Sequence, residues 1–200
     1  MPNTFDTPRL AEVIAASTGA YTAEVIRDAE APALGAWVAA MGSDGGVTLG
    51  VVGYLERGSV APNRRAVALG RDAESLQREM PQVLELLRTT IDVQLVAHVD
   101  VAGTVRQTLP PFPPAIHAFV HAVSRETLQQ IGAPFDFLRT LSARIDAAVP
   151  AEDLIAAVLR ALHAARPPMD RHAMLVRAGR VLSRLYRDDH ERLQAILRRI

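Results

Sequence analysis

The sequence predicts an α+β fold: a small antiparallel β-barrel with an inserted helical segment, followed by a helical C-terminal unit. Three observations predict it. The first is a series of short apolar runs at residues 10–17 (LAEVIAAS), 20–26 (AYTAEVI), 34–41 (LGAWVAAM) and 47–55 (VTLGVVGYL), each about strand length. The second is the chemistry between them. Thr18-Gly19 and Ser43-Asp44-Gly45-Gly46 supply the residues that tight hairpins need, so neighbouring runs pair antiparallel instead of crossing over through helices. The third is a change of period after residue 114, where apolar residues recur every three or four positions.

The elements follow in order. After the four front runs, residues 66–69 read as another short extended piece. From Ala73, Leu76, Met80, Val83, Leu84 and Leu87 take helical spacing, with Asp72 placed to cap the start. Pro81 falls inside that pattern. An interior proline costs roughly 3 kcal/mol, so a break is expected there, with Pro81 in the first turn of a restarted helix. Residues 92–101 (DVQLVAHVDV) return to extended patterning, Gly103 turns the chain, and 104–109 reads as a last strand.

Residues 110–114 (PPFPP) mark the clearest boundary, since consecutive prolines stop both ladders and helices. The expected division is therefore a barrel over 1–109 with a helical insertion at about 72–90, a proline-rich connector over 110–123, and a helical unit over 124–200. Within the last, helices are predicted at 124–131 with Ser124 as cap, at 135–146, at 151–166, at 170–187, and from Asp188 to the end. Asp188 and Glu191 read as a capping box for that final helix.

Composition excludes several function classes. All 22 basic residues are arginine. Without a lysine there is no P-loop of the GxxxxGK[ST] kind and no Schiff-base chemistry. Without cysteine there is no disulfide, thiolate zinc site or thiol nucleophile. No window approaches the ~18 uninterrupted apolar residues of a membrane span, and the expected location is cytoplasmic. The serines lie in no GxSxG elbow, and His98 reads as a packed or rim histidine. No catalytic residue, cofactor site or metal site is expected. His117 and His121 stand four apart but lack a third ligand nearby, and Asp188-Asp189-His190-Glu191 is what a helix start prefers.

The zero net charge hides an asymmetry. Residues 1–159 hold 12 arginines against 18 acids, and residues 160–200 hold ten against four, so the two parts carry −6 and +6. Arg177, Arg180, Arg184 and Arg187 recur at three, four and three residues and so share one helical face, opposite Met174, Val181, Leu182 and Leu185. Such a stripe suits phosphates or an acidic partner surface.

Once its glycines are placed, the front section resembles a known pattern. Leu10-Ala11-Glu12-Val13-Ile14, the turn Ser17-Thr18-Gly19, then Leu34-Gly35-Ala36-Trp37-Val38 and Leu49-Gly50-Val51-Val52-Gly53 are similar, in that order, to the HAS barrel at the N-terminus of HerA-type hexameric DNA translocases. The segment 109–120 (LPPFPPAIHAFV) resembles the proline-rich exit from that barrel in bacterial members. The resemblance covers about residues 8–123. It implies a helicase-associated barrel that supports oligomerisation of the ring and docks a NurA-type nuclease in DNA end resection and double-strand break repair. The family's ATP-driven motor has no counterpart in this sequence, so the chain is expected to be the non-catalytic N-terminal portion of such a translocase or a stand-alone relative. Its contacts are expected at barrel-rim segments 17–21, 43–47 and 56–62, with Asp44 and Arg57 as charged candidates. The alternative is a DNA-binding or adaptor module that uses the arginine-rich C-terminal helices.

Overall fold

The computed structural model describes residues 5–59, 68–100, 102–143 and 148–200. Seven strands and seven helices follow one another in these residues: β1 (Arg9–Ala16), β2 (Ala20–Val25), β3 (Trp37–Met41), β4 (Val47–Ser59), α1 (Ala73–Glu79), α2 (Pro81–Glu85), β5 (Leu87–Val99), β6 (Val105–Arg106), β7 (Phe119–Ala122), α3 (Arg125–Gln130), α4 (Phe137–Ser142), α5 (Ala151–Ala165), α6 (Pro168–Leu185) and α7 (His190–Leu197). The sheet order is β2-β1-β7-β3-β4-β5, and β2 pairs with β5 to close a six-stranded antiparallel barrel, with β6 hung on the far side of β5. Closure leaves the six strands no free edge.

Strand alternation divides the apolar residues into two cores. Val38 and Ala40 of β3, Val52 of β4, and Ile91, Val93 and Leu95 of β5 point inward, together with Ala11, Val13, Tyr21, Ala23 and Val120. Trp37, Ala39, Leu49, Val51, Val96 and Ala97 point the other way and are just as buried, because the C-terminal helices pack on them through Phe137, Leu138, Leu154, Ile155, Val158 and Leu162. The helices are therefore a layer on the barrel's outer wall and share a core with it. The helical unit over 124–200 thus has no core of its own: its buried face is continuous with β3, β4 and β5.

Other boundaries also shift. The segment 110–123, expected to be only a connector, contains β7, which pairs Ala11 and Glu12 of β1 on one side and Val38, Ala39 and Ala40 of β3 on the other. The barrel cannot close without it. The prolines before it lie extended beside the β3–β4 hairpin, where Pro113 accepts from the Ser43 N–H at 3.0 Å and Met41 accepts from Ala115 at 3.0 Å. Strand β5 begins at Leu87, so the helical insertion ends at Glu85, short of the expected 90. The last strand predicted at 104–109 shrinks to Val105–Arg106. Of the run at 66–69, residues 66 and 67 lie outside the described residues, and Ala68 and Leu69 are not in a strand. Phe135, expected inside a helix, has φ of 61° and precedes one.

Several local expectations hold. Asp72 caps α1 by accepting from the Ser75 N–H at 2.7 Å, and Ser124 caps α3 through Thr127. Pro81 stands in the first turn of α2, where its missing N–H costs nothing. The final helix is capped by Asp189, one residue later than expected, because Asp189 and not Asp188 is three residues from the Arg192 N–H that it accepts.

Tyr21 breaks the apolar rule inside the barrel. It is buried, its hydroxyl has no hydrogen-bond partner among the described residues, and burial pushes the phenol far above its ordinary range, so it stays neutral. An unpaired buried hydroxyl costs roughly 1–3 kcal/mol. Tyr21→Phe is accordingly expected to raise stability by about 1 kcal/mol, read as an upward shift of the melting temperature; a lower melting temperature would show that the hydroxyl is paired.

Candidate docking surfaces

The rim segments expected to act together lie at opposite ends of the barrel. Asp44 sits in the β3–β4 hairpin, and Arg57 sits near the far end of β4, paired in register with Thr89 at the start of β5. Ten residues of β4 separate Val47 from Arg57, about 33 Å at ~3.3 Å per residue. The hairpin after β1 (17–19) lies partway along β5, where Leu95 donates to the Gly19 carbonyl at 2.9 Å. The segment 56–62 is described only as far as Ser59. Arg57 is exposed and donates from Nε to the Thr89 hydroxyl at 3.1 Å.

The Asp44 end is the more elaborate. Gly45 takes φ of 83°, and the Asp44 carboxylate accepts from the Gly46 N–H at 3.0 Å, which fixes the turn. Between this hairpin, the end of β5 and the proline segment lies a cavity of about 420 Å³, walled by Asp44, Val47, Thr48, His98, Val99, Asp100, Pro110, Pro111 and Phe112, with Gly45 and Gly46 at its lip. Its floor is held by Thr48, whose hydroxyl donates to the Ala40 carbonyl at 2.9 Å. His98 faces the Thr108 carbonyl through Nδ1 at 3.2 Å. A cleft with apolar walls and the exposed Asp44 carboxylate at its edge suits a partner's apolar side chain flanked by a cation.

Asp100 holds the second wall. Its carboxylate accepts from the Thr104 N–H at 2.9 Å and the Ala102 N–H at 3.0 Å, and takes Nε of Arg106 at 2.8 Å. The Thr104 N–H foremost, then the Arg106 side chain, hold its carboxyl below the usual carboxylate range. A depressed folded pKa contributes stability above the unfolded value and loses it as pH falls through the folded one. NMR titration of the Asp100 side-chain carbon should therefore give a midpoint below ~3.9, with the β5–β6 turn loosening only in stronger acid. A midpoint at or above that value would contradict these bonds.

On α6, Arg177, Arg180 and Arg184 are exposed, as is Arg187 just past its end, while Met174, Ala178 and Leu182 are buried and Val181 and Leu185 pack partly against the core. Arg177, Arg180 and Arg184 form no ion pair among the described residues, and Arg187 pairs with its neighbour Asp188 at 3.0 Å in open solvent. Arg160, Arg166, Arg171, Arg192 and Arg199 are engaged within the fold. Arg166 donates to the Gln129 and Ile131 carbonyls, Arg192 pairs with Glu152, and Arg199 pairs with Asp153 at 2.7 Å. Glu152 and Asp153 stand on α5, so part of the charge asymmetry is resolved inside the helical layer, and the stripe and the exposed Arg198 are what remain.

The two histidines do not form a metal face. His117 has φ of 67° and meets the Glu12 carboxylate at 2.5 Å on the outer surface, whereas His121 is buried against the Phe5 ring with Nδ1 2.8 Å from the Thr7 carbonyl. Among the described residues no three metal-ligating side chains converge, and no helix is long and apolar enough to cross a membrane. Asp44 lies at the hairpin rim and the arginine stripe on one helix face, as the sequence predicts, whereas the cavity, walled by residues 44–48, 98–100 and 110–112, was not anticipated. No protein-family model matches this sequence, and no curated protein matches it either.

Proposed function

We propose that this chain is the non-catalytic assembly and docking domain of a HerA-type hexameric DNA translocase, receiving a NurA-type nuclease in DNA end resection and double-strand break repair. One observation supports it above the others: the residues that carry the resemblance are those on which the barrel depends. Gly35 turns with φ of 79° where the wall meets α5, and a Cβ there would lie 2.8 Å from the Ala157 backbone. Gly50 lets β4 approach β5 so closely that a Cβ would lie 2.8 Å from the Gln94 carbonyl oxygen. The proline exit forms one wall of the rim cavity. Nuclease docking is assigned to that cavity end, with Asp44 as its exposed charge.

Asp44→Arg is expected to weaken nuclease binding about tenfold or more in calorimetry while leaving the circular dichroism spectrum unchanged; Arg57→Glu, at the other end, should leave binding alone. Equal losses from both would remove the assignment. The purified chain is also expected to hydrolyse no ATP, since it has neither lysine nor P-loop. Turnover that persists through further purification would overturn the non-catalytic role.

A second reading, DNA contact through α6, is favoured by the three exposed and unpaired arginines. Three phosphate contacts would make log K fall with log salt at a slope of about −3, a dependence that apolar docking lacks.

A further inference from the structure

The three arginines of α6 that form no ion pair among the described residues have a counterpart on the barrel. The helical layer packs on the outer wall at Leu49, Val51, Val96 and Ala97. On β2, the first half of β5 and the second half of β4, the outward positions are polar instead. There Glu24 of β2 stands opposite Thr90 of β5, and Thr90 opposite Glu56 of β4. Asp92 follows two residues along β5, between Thr22 and Tyr54. The three acids point outward, since Ala23, Ile91 and Val93 beside them fill the barrel and Leu55 packs against that core. Glu24 shares the Arg88 guanidinium at 3.2 Å. Asp92 accepts from the Thr22 hydroxyl at 2.7 Å, and neither it nor Glu56 meets a cation among the described residues; both are exposed.

The two arrays match in length as well as in sign. Glu24 and Glu56 are two strand spacings apart, about 10 Å at ~4.8 Å each, with Asp92 on the strand between. Arg177 and Arg184 are seven residues apart on α6, about 10 Å at ~1.5 Å per residue, with Arg180 between. They do not meet within one chain. Met174, Ala178 and Leu182 hold the opposite side of α6 in the helical core, so the arginines face away from their own barrel. A nucleic acid would account for the arginines but be repelled by the carboxylates. A second copy accounts for both. Because the two patches differ, the contact runs head to tail, and repeated about an axis it closes a ring of chains instead of a pair.

We propose that Arg177, Arg180 and Arg184 of one copy dock on Asp92 and Glu56 of the next, with Glu24 at the margin of the contact. This rests on the assembly part of the function proposed above and names the surfaces that carry it. The rim cavity is complete within one chain, so nuclease docking there does not depend on assembly.

Sedimentation velocity of the intact chain at low salt is the test. Wild type is expected in particles of more than two chains that come apart as salt is raised, because exposed charges are screened. A stripe variant, Arg177→Glu/Arg180→Glu/Arg184→Glu, and a wall variant, Glu56→Arg/Asp92→Arg, should each weaken assembly by roughly 30-fold or more. Mixed in equal amounts they should assemble again. The reversed stripe of the first then meets the reversed wall of the second, and the native stripe of the second meets the native wall of the first. Circular dichroism checks that each variant folds; where one does not, Arg180→Glu and Glu56→Arg repeat the pairing with a single change on each side. A wild type that remains one chain or stops at two, assembly indifferent to either variant, or folded variants that do not recover on mixing would overturn the proposal. So would loss of duplex DNA binding in the stripe variant with its assembly intact. Failure of the nuclease to bind a chain that assembles and recovers in this way would support the contact and count only against the docking function.

Discussion

Phe137→Ala is expected to lower the stability of this protein by about 3–5 kcal/mol, with barrel and helices unfolding together. Phe137 is fully buried at the start of α4, with its ring edge-on to Trp37 of β3 at a centroid distance of 5.2 Å and to Phe135 at 6.1 Å. Truncation removes a large apolar group from the seam between the two layers and leaves a cavity that neither layer can close. Aromatic pairing adds roughly 0.5–1.5 kcal/mol beyond burial. Trp37 is the chain's single tryptophan. Its fluorescence reports the seam, and far-ultraviolet circular dichroism is dominated by the helices. In urea the two signals should coincide in wild type and shift together in Phe137→Ala. Helices that melt ahead of the tryptophan signal would mean that the layers are separate folding units.

Gly35→Val is expected to be nearly as damaging, from the other side of the same seam. Gly35 combines φ of 79° with a position where a Cβ would lie 2.5 Å from the Ala157 Cβ and 2.8 Å from that residue's backbone carbon. The left-handed conformation costs a substituted residue roughly 1–2 kcal/mol, and overpacking adds roughly 1–3 kcal/mol. Gly45→Ala separates the two causes, because Gly45 has φ of 83° but open space around its missing Cβ. It should lose only the conformational part, ~1–2 kcal/mol. Equal melting temperatures for the two variants would show that α5 does not press on the β-wall at Gly35.

The fold class was legible because its signals are local. Turn residues at 43–46, helical spacing over 151–166 and 170–187, and the restart at Pro81 each need only a few neighbouring residues to be read. Strand β7 was not legible for the opposite reason. It is four residues long, it follows prolines, and its partners β1 and β3 lie some eighty or more positions earlier in the chain. The helical layer's attachment did leave a trace. Trp37-Val38-Ala39-Ala40 and Val93-Gln94-Leu95-Val96-Ala97 are almost unbroken in apolar character, as strands buried on both faces are.

The candidate surfaces divide in the same way. The arginine stripe repeats at helical spacing and could be placed from the sequence. Asp44 and Arg57 look equivalent as rim charges in the sequence, but the thirteen residues of β4 carry them to opposite ends. The cavity beside Asp44 and the carboxylates grouped across β2, β5 and β4 exist only once the barrel has closed.

Calorimetric titration of a NurA-type nuclease into the intact wild-type chain tests the central claim most directly. Binding should be saturable, persist at raised salt, be lost or strongly weakened in Asp44→Arg, and be untouched in Arg177→Ala/Arg180→Ala/Arg184→Ala. Absence of binding heat, together with no co-sedimentation of the two proteins, would contradict it.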